Sequence, residues 1–306
     1  MHLYDGTWWQ DKHYSSLEYI KKVVAIHDLL NLNYSENSNH TKEYYKKSGM
    51  VLLPKISCLC VTKNGYDLLK NTITCYNKQI YPNKELIIIY ENDNTEINKV
   101  IKEFKNNIDI KFIEVDSSKN KKTLGELRNI SINESSGEYV CQWDDDDWYH
   151  PLRLWEQFRD LKINNKNGSI LSSWLVYDNV KNELLECKRI SFIGWEGSFM
   201  YKKSELKTLY PSLKKGEDTT FIENIKDDLS VLYKPELYVY RVHSDNTWGY
   251  NNLYERIIKY SKKYEGVSYF NLNTKNNLPL FYSFDGVLIN DKGYTQEEYQ
   301  KTIGRE

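Results

Sequence analysis

Glu138-Tyr-Val-Cys-Gln-Trp-Asp-Asp-Asp-Asp-Trp148 decides how this chain folds. Glu138 to Trp143 is an apolar run that reads as a buried strand. Asp144, Asp145, Asp146 and Asp147 follow it directly, although adjacent carboxylates repel one another. Acids massed at the C-terminal end of a strand in an α/β sheet lie where such sheets bind ligands. They are hard oxygen donors, suited to Mg²⁺ or Mn²⁺ holding a diphosphate.

Upstream of this stretch the pattern alternates strand and helix. Ile56 to Val61 reads as a strand and Tyr66 to Asn77 as a helix. Glu85 to Tyr90 is a near-continuous apolar run, as strands buried on both faces require. Glu96 to Asn106 reads as a helix and Ile110 to Val115 as a third strand. Thr123-Leu-Gly-Glu126 has the spacing of a capping box and opens another helix. Pro151 suits the first turn of the helix after the acids. This rhythm predicts an α/β fold with a mostly parallel central sheet and helices on both faces.

Downstream the pattern is less regular. Ser169 to Tyr177 and Leu237 to His243 read as strands, Glu217 to Ile225 as a short helix, and Leu253 to Tyr264 as a helix. Residues 1–50 read as a helical N-terminal extension, with a capping box at Ser15-Ser16-Leu-Glu18. Residues 51–250 read as the α/β domain, and 251–306 as a helical and loop-rich C-terminal extension.

The net charge of −1 gives no field that favours nucleic acid or an anionic membrane, so neither is an expected partner. Five cysteines, an odd number at irregular spacing, do not make a disulfide framework, and no CxxC or Cys/His pattern suggests zinc. No stretch approaches the roughly 18 apolar residues of a membrane span. The N-terminus has no apolar segment of signal-peptide type. A cytoplasmic enzyme, peripheral to the inner membrane face where its acceptor is lipid-linked, is the expectation.

Taken together, these residues resemble the family 2 glycosyltransferases, which have the GT-A fold. Val61-Thr62-Lys63-Asn64 resembles the turn after the family's first strand. Glu85 to Asp93 resembles its second strand, with Tyr90-Glu91-Asn92-Asp93 in place of the usual Asp-Asp-Gly-Ser. Gly125-Glu-Leu-Arg128-Asn129 resembles the segment before the metal strand, and Gly137 to Pro151 the Gly-Glu-Tyr…Asp-x-Asp-Asp…Pro signature. Glu217-Asp218 resembles the base motif and Tyr240 to Trp248 the late histidine segment. These ordered motifs span roughly residues 54–250.

The resemblance implies a nucleotide-sugar donor, UDP-linked by expectation, with Mn²⁺ or Mg²⁺ as cofactor. It assigns Thr62, Asn64, Glu91, Arg128, Asp144, Asp145 and Trp195 to the donor, and Asp146 and His243 to the metal. An imidazole ligand favours Mn²⁺. Asp218 is the implied general base for an inverting transfer. Bland readings stand beside these. Glu217 and Asp218 suit a helix N-terminus, Trp195 suits a core, and His243 suits a structural role. Arg128 suits either the diphosphate or the neighbourhood of Asp146, and Asp147 a cap on the turn before Trp148. The acceptor is a saccharide, a lipid-linked saccharide or a protein side chain, and the extensions are candidate surfaces for a homo-oligomer. Two other classes compete: a GT-A nucleotidyltransferase or sugar pyrophosphorylase, for which the Lys63-Asn64-Gly65-Tyr66 turn is too short and glycine-poor, and a non-catalytic sugar-binding protein.

Overall fold

The computed structural model describes residues 53–63, 66–79, 81–92, 96–118, 121–178, 181, 183–188, 193–213, 216–242 and 249–264, with a two-stranded ribbon at Phe281–Tyr282 and Leu288–Ile289. The expected N-terminal helix, Asn64 and His243 lie outside the described residues.

The first half follows the alternating pattern closely. β1 (Ile56–Thr62), α1 (Tyr66–Asn77), β2 (Lys84–Glu91), α2 (Ile97–Phe104), β3 (Ile110–Val115), α3 (Leu124–Glu134) and β4 (Tyr139–Gln142) succeed one another. β1 pairs in parallel with both β2 and β4, and β2 pairs in parallel with β3. Alternate side chains of β1 and β2 enter two different cores. Cys58, Cys60, Leu86 and Ile88 pack with α1, α2 and α4 (Arg153–Ile163). Leu59, Ile87 and Ile89 pack with α3 and with α5 (Glu217–Ile225). A strand buried on both faces has no room for the polar alternation of an exposed sheet, which is why these runs read as continuously apolar.

The second half closes the sheet and adds another. β6 (Gly168–Leu171), β9 (Met200–Lys202) and β10 (Leu229–Leu232) complete seven strands in the order β10-β6-β9-β4-β1-β2-β3. β9 runs antiparallel between β4 and β6. A five-stranded sheet, β12-β8-β7-β11-β5, stands beside it, built from β5 (Trp148–Tyr149), β7 (Ser173–Asp178), β8 (Glu183–Lys188), β11 (Tyr238–Arg241) and β12 (Lys262–Lys263). No described helix is long and apolar enough to cross a membrane.

Two sequence expectations are corrected here. The single strand over Ser169 to Tyr177 is two strands in different sheets, parted at Ser172, whose N–H bonds the Leu232 carbonyl at 3.0 Å. The chain at Gly194 crosses Leu171 so closely that a Cβ would stand 2.4 Å from the Leu171 carbonyl. That crossing ends the pairing of β6, and no proline or glycine within the strand announces it. The helix over Leu253 to Tyr264 is shorter and earlier: α6 (Tyr250–Arg256), one tight turn at Ile258–Tyr260, then β12 on the edge of β8. Tyr250, Leu253, Tyr254, Ile257 and Ile258 pack on the core at helical spacing, and beyond them Lys262 and Lys263 are exposed and pair with β8 instead of extending the helix.

β4 is the short strand of the parallel set. Its last residue, Gln142, is level with Leu59, while β1 continues to Thr62. Three further residues of β1 at roughly 3.3 Å each leave a step of about 10 Å. The acid run turns out of the sheet on that step.

His150 and Pro151 carry the chain from β5 into α4. His150 is buried, its Nδ1 accepts the Leu152 N–H at 3.0 Å, and burial pushes its pKa down to about 3. The unfolded chain therefore binds a proton below pH 6.5 that the native state refuses, and stability falls as pH drops from about 6.5 towards 3. At pH 4 this loss is about 3 kcal/mol. His150→Asn, measured by melting temperature between pH 7 and 4, is expected to lose stability at pH 7 and to show a shallower fall with acid. An unchanged slope would mean that His150 does not titrate as described.

Candidate active site

The acid run divides its work among its members. Asp147 is buried; its carboxylate accepts the Arg241 N–H at 3.0 Å and the Tyr238 hydroxyl. It therefore ties the end of β4 to β11 in the second sheet, rather than capping the turn before Trp148 as expected. Asp145 is also buried, while Asp144 and Asp146 are half-buried. The backbone is pinned from behind. Tyr149 donates its hydroxyl to the Asp144 carbonyl at 2.9 Å, and the Thr72 hydroxyl on α1 lies 3.3 and 3.4 Å from the Asp144 and Asp147 carbonyls.

Asp144 is the meeting point. Its Oδ1 accepts Gln142 Nε2 at 2.7 Å and Arg128 Nη2 at 3.4 Å. Arg128 comes from α3, whose capping box is formed: Thr123 Oγ1 accepts the Glu126 N–H, and Glu126 Oε2 accepts the Thr123 N–H at 2.7 Å. The Arg128 guanidinium reaches across to α5, donating from Nη1 to Glu217 Oε1 at 2.9 Å, with Asp218 Oδ2 at 3.9 Å. It lies 5.4 Å from the centre of the Tyr210 ring. Its Nε is buried without a hydrogen-bond partner among the described residues. Burial opposes the charge on Arg128, but Asp144, Tyr210, Asp218 and Glu217 together hold its pKa above the usual value.

The Gly194-Trp195-Glu196-Gly197-Ser198 segment forms the opposite wall. A Cβ on Gly197 would stand 3.0 Å from Asp144 Oδ2, 2.9 Å from Trp195 Nε1 and 2.8 Å from the Tyr238 hydroxyl. Only a bare backbone can approach Asp144 this closely. Trp195 stacks one face on Trp174 with ring centres 4.6 Å apart and meets Tyr240 edge-on at 5.4 Å. Glu196 accepts the Thr219 hydroxyl at 2.8 Å, and the Thr219 N–H donates to Asp218 Oδ1 at 2.7 Å. Asp218 keeps a side chain 36 % exposed, in contrast to the 4 % of Glu217. The first acid of the pair is thus structural and the second faces outward.

Thr62 and Glu91 stand at the ends of β1, which pairs with β4, and β2, which pairs with β1 on its far side. The Glu91 carboxylate is buried, neither oxygen has a hydrogen bond among the described residues, and Lys63 Nζ is 3.6 Å away. A buried carboxylate lacking donors is costly, and a bound ligand bearing N–H or O–H groups would relieve it. Among the described residues no three His, Cys, Asp or Glu side chains are grouped as a metal cage. A cation held on a diphosphate needs only one or two protein carboxylates, because phosphate oxygens and water complete its shell. The oxygen donors of the acid run fit that requirement.

The structure therefore brings Arg128, Asp144, Glu217 and Asp218 into one network, and Asp145, Asp146, Trp195, Thr62 and Glu91 onto the same strand ends and facing loop. Several participants carried no label in the sequence reading: Gln142, Thr72, Tyr149, Tyr238, Thr219 and Glu196. Gln142 had a legible signal, as an amide closing an otherwise apolar strand just before charges. The others are distant in sequence and become partners only through the fold.

Burial drives Asp147 well above the usual carboxylate range, with Asp146 and Asp144 adding to the rise. Burial likewise raises Asp144 against the pull of Arg128. A raised carboxyl pKa means that the native state holds more protons than the unfolded chain above about pH 4, so stability falls as pH rises through that window. Asp147→Asn keeps an acceptor for Arg241 N–H and removes the charge. Its melting temperature relative to wild type is expected to rise from pH 4 to pH 8; a constant difference would show that Asp147 carries no such burden.

Residues 57–222 match the family model described as glycosyl transferase family 2. An uncharacterised glycosyltransferase of Methanocaldococcus jannaschii is 30% identical over 165 residues, covering 52% of this chain and 55% of that protein. The poly-beta-1,6-N-acetyl-D-glucosamine synthase of Staphylococcus epidermidis is 26% identical over 204 residues, covering 61% of this chain and 47% of the relative. The chain thus spans about half the length of these relatives. Crystal structures of S. aureus TarS 1-349 share the fold, with a TM-score of 0.50 at 17% identity over 61% of this chain and 60% of TarS. A complex of TarS 1-349 with UDP-GlcNAc superposes equally well, with a TM-score of 0.50 at 16% identity over 62% of this chain and 59% of TarS.

Proposed function

The chain belongs to glycosyl transferase family 2 and is a glycosyltransferase; from that premise we propose that it moves a sugar, with inversion, from a nucleotide-diphosphate sugar to a saccharide, lipid-linked or protein acceptor. The observation that carries this reading is the Arg128 bridge. One buried guanidinium joins Asp144, on the strand end suited to a donor, to the Glu217-Asp218 pair suited to an acceptor. Glu91, buried without hydrogen-bond donors among the described residues at the end of β2, supports a place for the nucleoside. TarS binds UDP-GlcNAc, which favours a uridine donor here.

In this reading residues 51–250 form the catalytic unit. Thr62, Asn64 and Glu91 take the nucleoside, with Asp144 near the ribose, Asp145 beside it as a helper to Asp146, and Arg128 near the diphosphate. Asp146 and His243 would hold a divalent cation, Mn²⁺ or Mg²⁺, which supplies charge neutralisation for the departing diphosphate. Asp218 takes the proton of the acceptor hydroxyl as its oxygen bonds C1 of the sugar, and the bond from C1 to the diphosphate oxygen breaks with its electrons. The Thr219 N–H turns the Asp218 carboxylate, and Glu196 holds Thr219 in turn. Five buried free thiols favour a reducing, cytoplasmic setting.

The test is a nucleotide-sugar screen with Mn²⁺, reading nucleoside diphosphate release and transfer in wild type and Asp218→Asn. Asp218→Asn is expected to bind donor normally and to lose transfer by about 10²–10⁴-fold, the usual worth of a positioned base. Normal turnover by Asp218→Asn would remove it from the mechanism.

A further inference from the structure

Helix α4 carries a fully buried cation at its first residue, Arg153. Among the described residues no carboxylate lies within ion-pair distance of it, and its Nη1 has no hydrogen-bond partner. Aromatic faces surround it instead. Its Cζ lies 5.2 Å from the Trp143 ring centre, 4.6 Å from Tyr149 and 5.3 Å from Tyr238. Tyr149 holds the Asp144 carbonyl and Tyr238 holds the Asp147 carboxylate, so two of these rings are already bonded to the acid run.

The hydrogen bonds of Arg153 are equally specific. Nη2 donates to the Gln142 carbonyl at 2.9 Å and lies 3.4 Å from the Gly197 carbonyl. Gln142 is the last strand residue before the acids, and Gly197 is the residue whose Cα faces Asp144 Oδ2. One nitrogen therefore ties the end of β4 to the Gly197 segment that packs on Asp144. Nε donates to Gln157 Oε1 at 3.1 Å, and Gln157 Nε2 donates to the Ser198 carbonyl at 2.7 Å. A buried cation that served packing alone would be replaceable by an apolar side chain of similar size. The planar guanidinium fork differs because it fixes several acceptors at set angles at once.

We propose that Arg153, steadied by Gln157, is a positioning residue that sets how closely the Gly197 backbone packs against Asp144 at the donor site. The proposal rests on the reading of the Asp144 strand end as the nucleotide-sugar site. Lysine at position 153 keeps the charge among the rings but cannot serve Gln142, Gly197 and Gln157 together. Gln157→Met keeps the arginine but removes the acceptor of its Nε and releases the Ser169 and Ser198 carbonyls.

The test is calorimetric titration of the full-length chain with UDP and Mn²⁺, for wild type, Arg153→Lys and Gln157→Met, each shown folded by a cooperative melt. Folded Arg153→Lys is expected to bind UDP about tenfold more weakly, since small displacements of positioned groups are felt strongly, with a smaller loss in Gln157→Met. With a donor sugar, the loss is expected in the donor KM more than in kcat. A role confined to packing would lower the melting temperature and leave the affinity of the folded protein unchanged. Wild-type affinity in both folded variants overturns the proposal alone, and in Gln157→Met it does so even where Arg153→Lys fails to fold. Absence of UDP binding by wild type sinks it together with the donor reading.

Discussion

The site depends on one cation in the wrong place for a cation. Arg128 is buried beside Tyr210, yet it is charged because Asp144, Glu217 and Asp218 surround it. These acids come from two segments, the end of β4 and the start of α5, and without the guanidinium they would repel one another across a closed space. Removing one partner of such a buried network costs about 3–5 kcal/mol, because the charges left behind have no compensation. The bridge therefore enforces convergence: the strand end and the start of α5 must approach for Arg128 to be satisfied. Its third neighbour, Asp218, is the loosest at 3.9 Å and the most exposed, which leaves that carboxylate available for chemistry.

A second constraint holds the acids from the other side. Asp147 stitches the end of β4 to β11, and its burial is expensive for a carboxylate. The expense has a structural return. It fixes where β11 stands, and with it Tyr238 and Tyr240 against Trp195. The two sheets thus meet at the acid run, and the aromatic wall of the second sheet faces the charged floor of the first.

Much of this was readable before any coordinates. Parallel strands buried on both faces announce themselves as unbroken apolar runs, which is why β1, β2 and β4 fall close to their expected bounds, while β3, at the sheet edge, keeps exposed Lys111 and Glu114 between its apolar residues. The capping box at Thr123 and the first-turn acids of α5 likewise sit where short-range chemistry puts them. Three things were not legible. The break at Ser172 depends on the 193–195 crossing, a contact made far away in sequence. The role of Asp147 depends on Arg241 and Tyr238, more than 90 residues later. The stack of Trp195 on Trp174 could not be separated from sugar binding by residue type, since both uses select the same side chain. Each miss is a long-range pairing between residues whose local signals are silent.

The central claim is that Arg128, Asp144 and Asp218 enclose one donor cleft that begins at the acid run. Anomalous diffraction from crystals grown with UDP and Mn²⁺ tests it most directly. The account predicts the manganese peak in coordination contact with Asp146, the diphosphate between it and Arg128, and the uracil against Glu91. A manganese or nucleotide bound away from the ends of β1, β2 and β4 would contradict it.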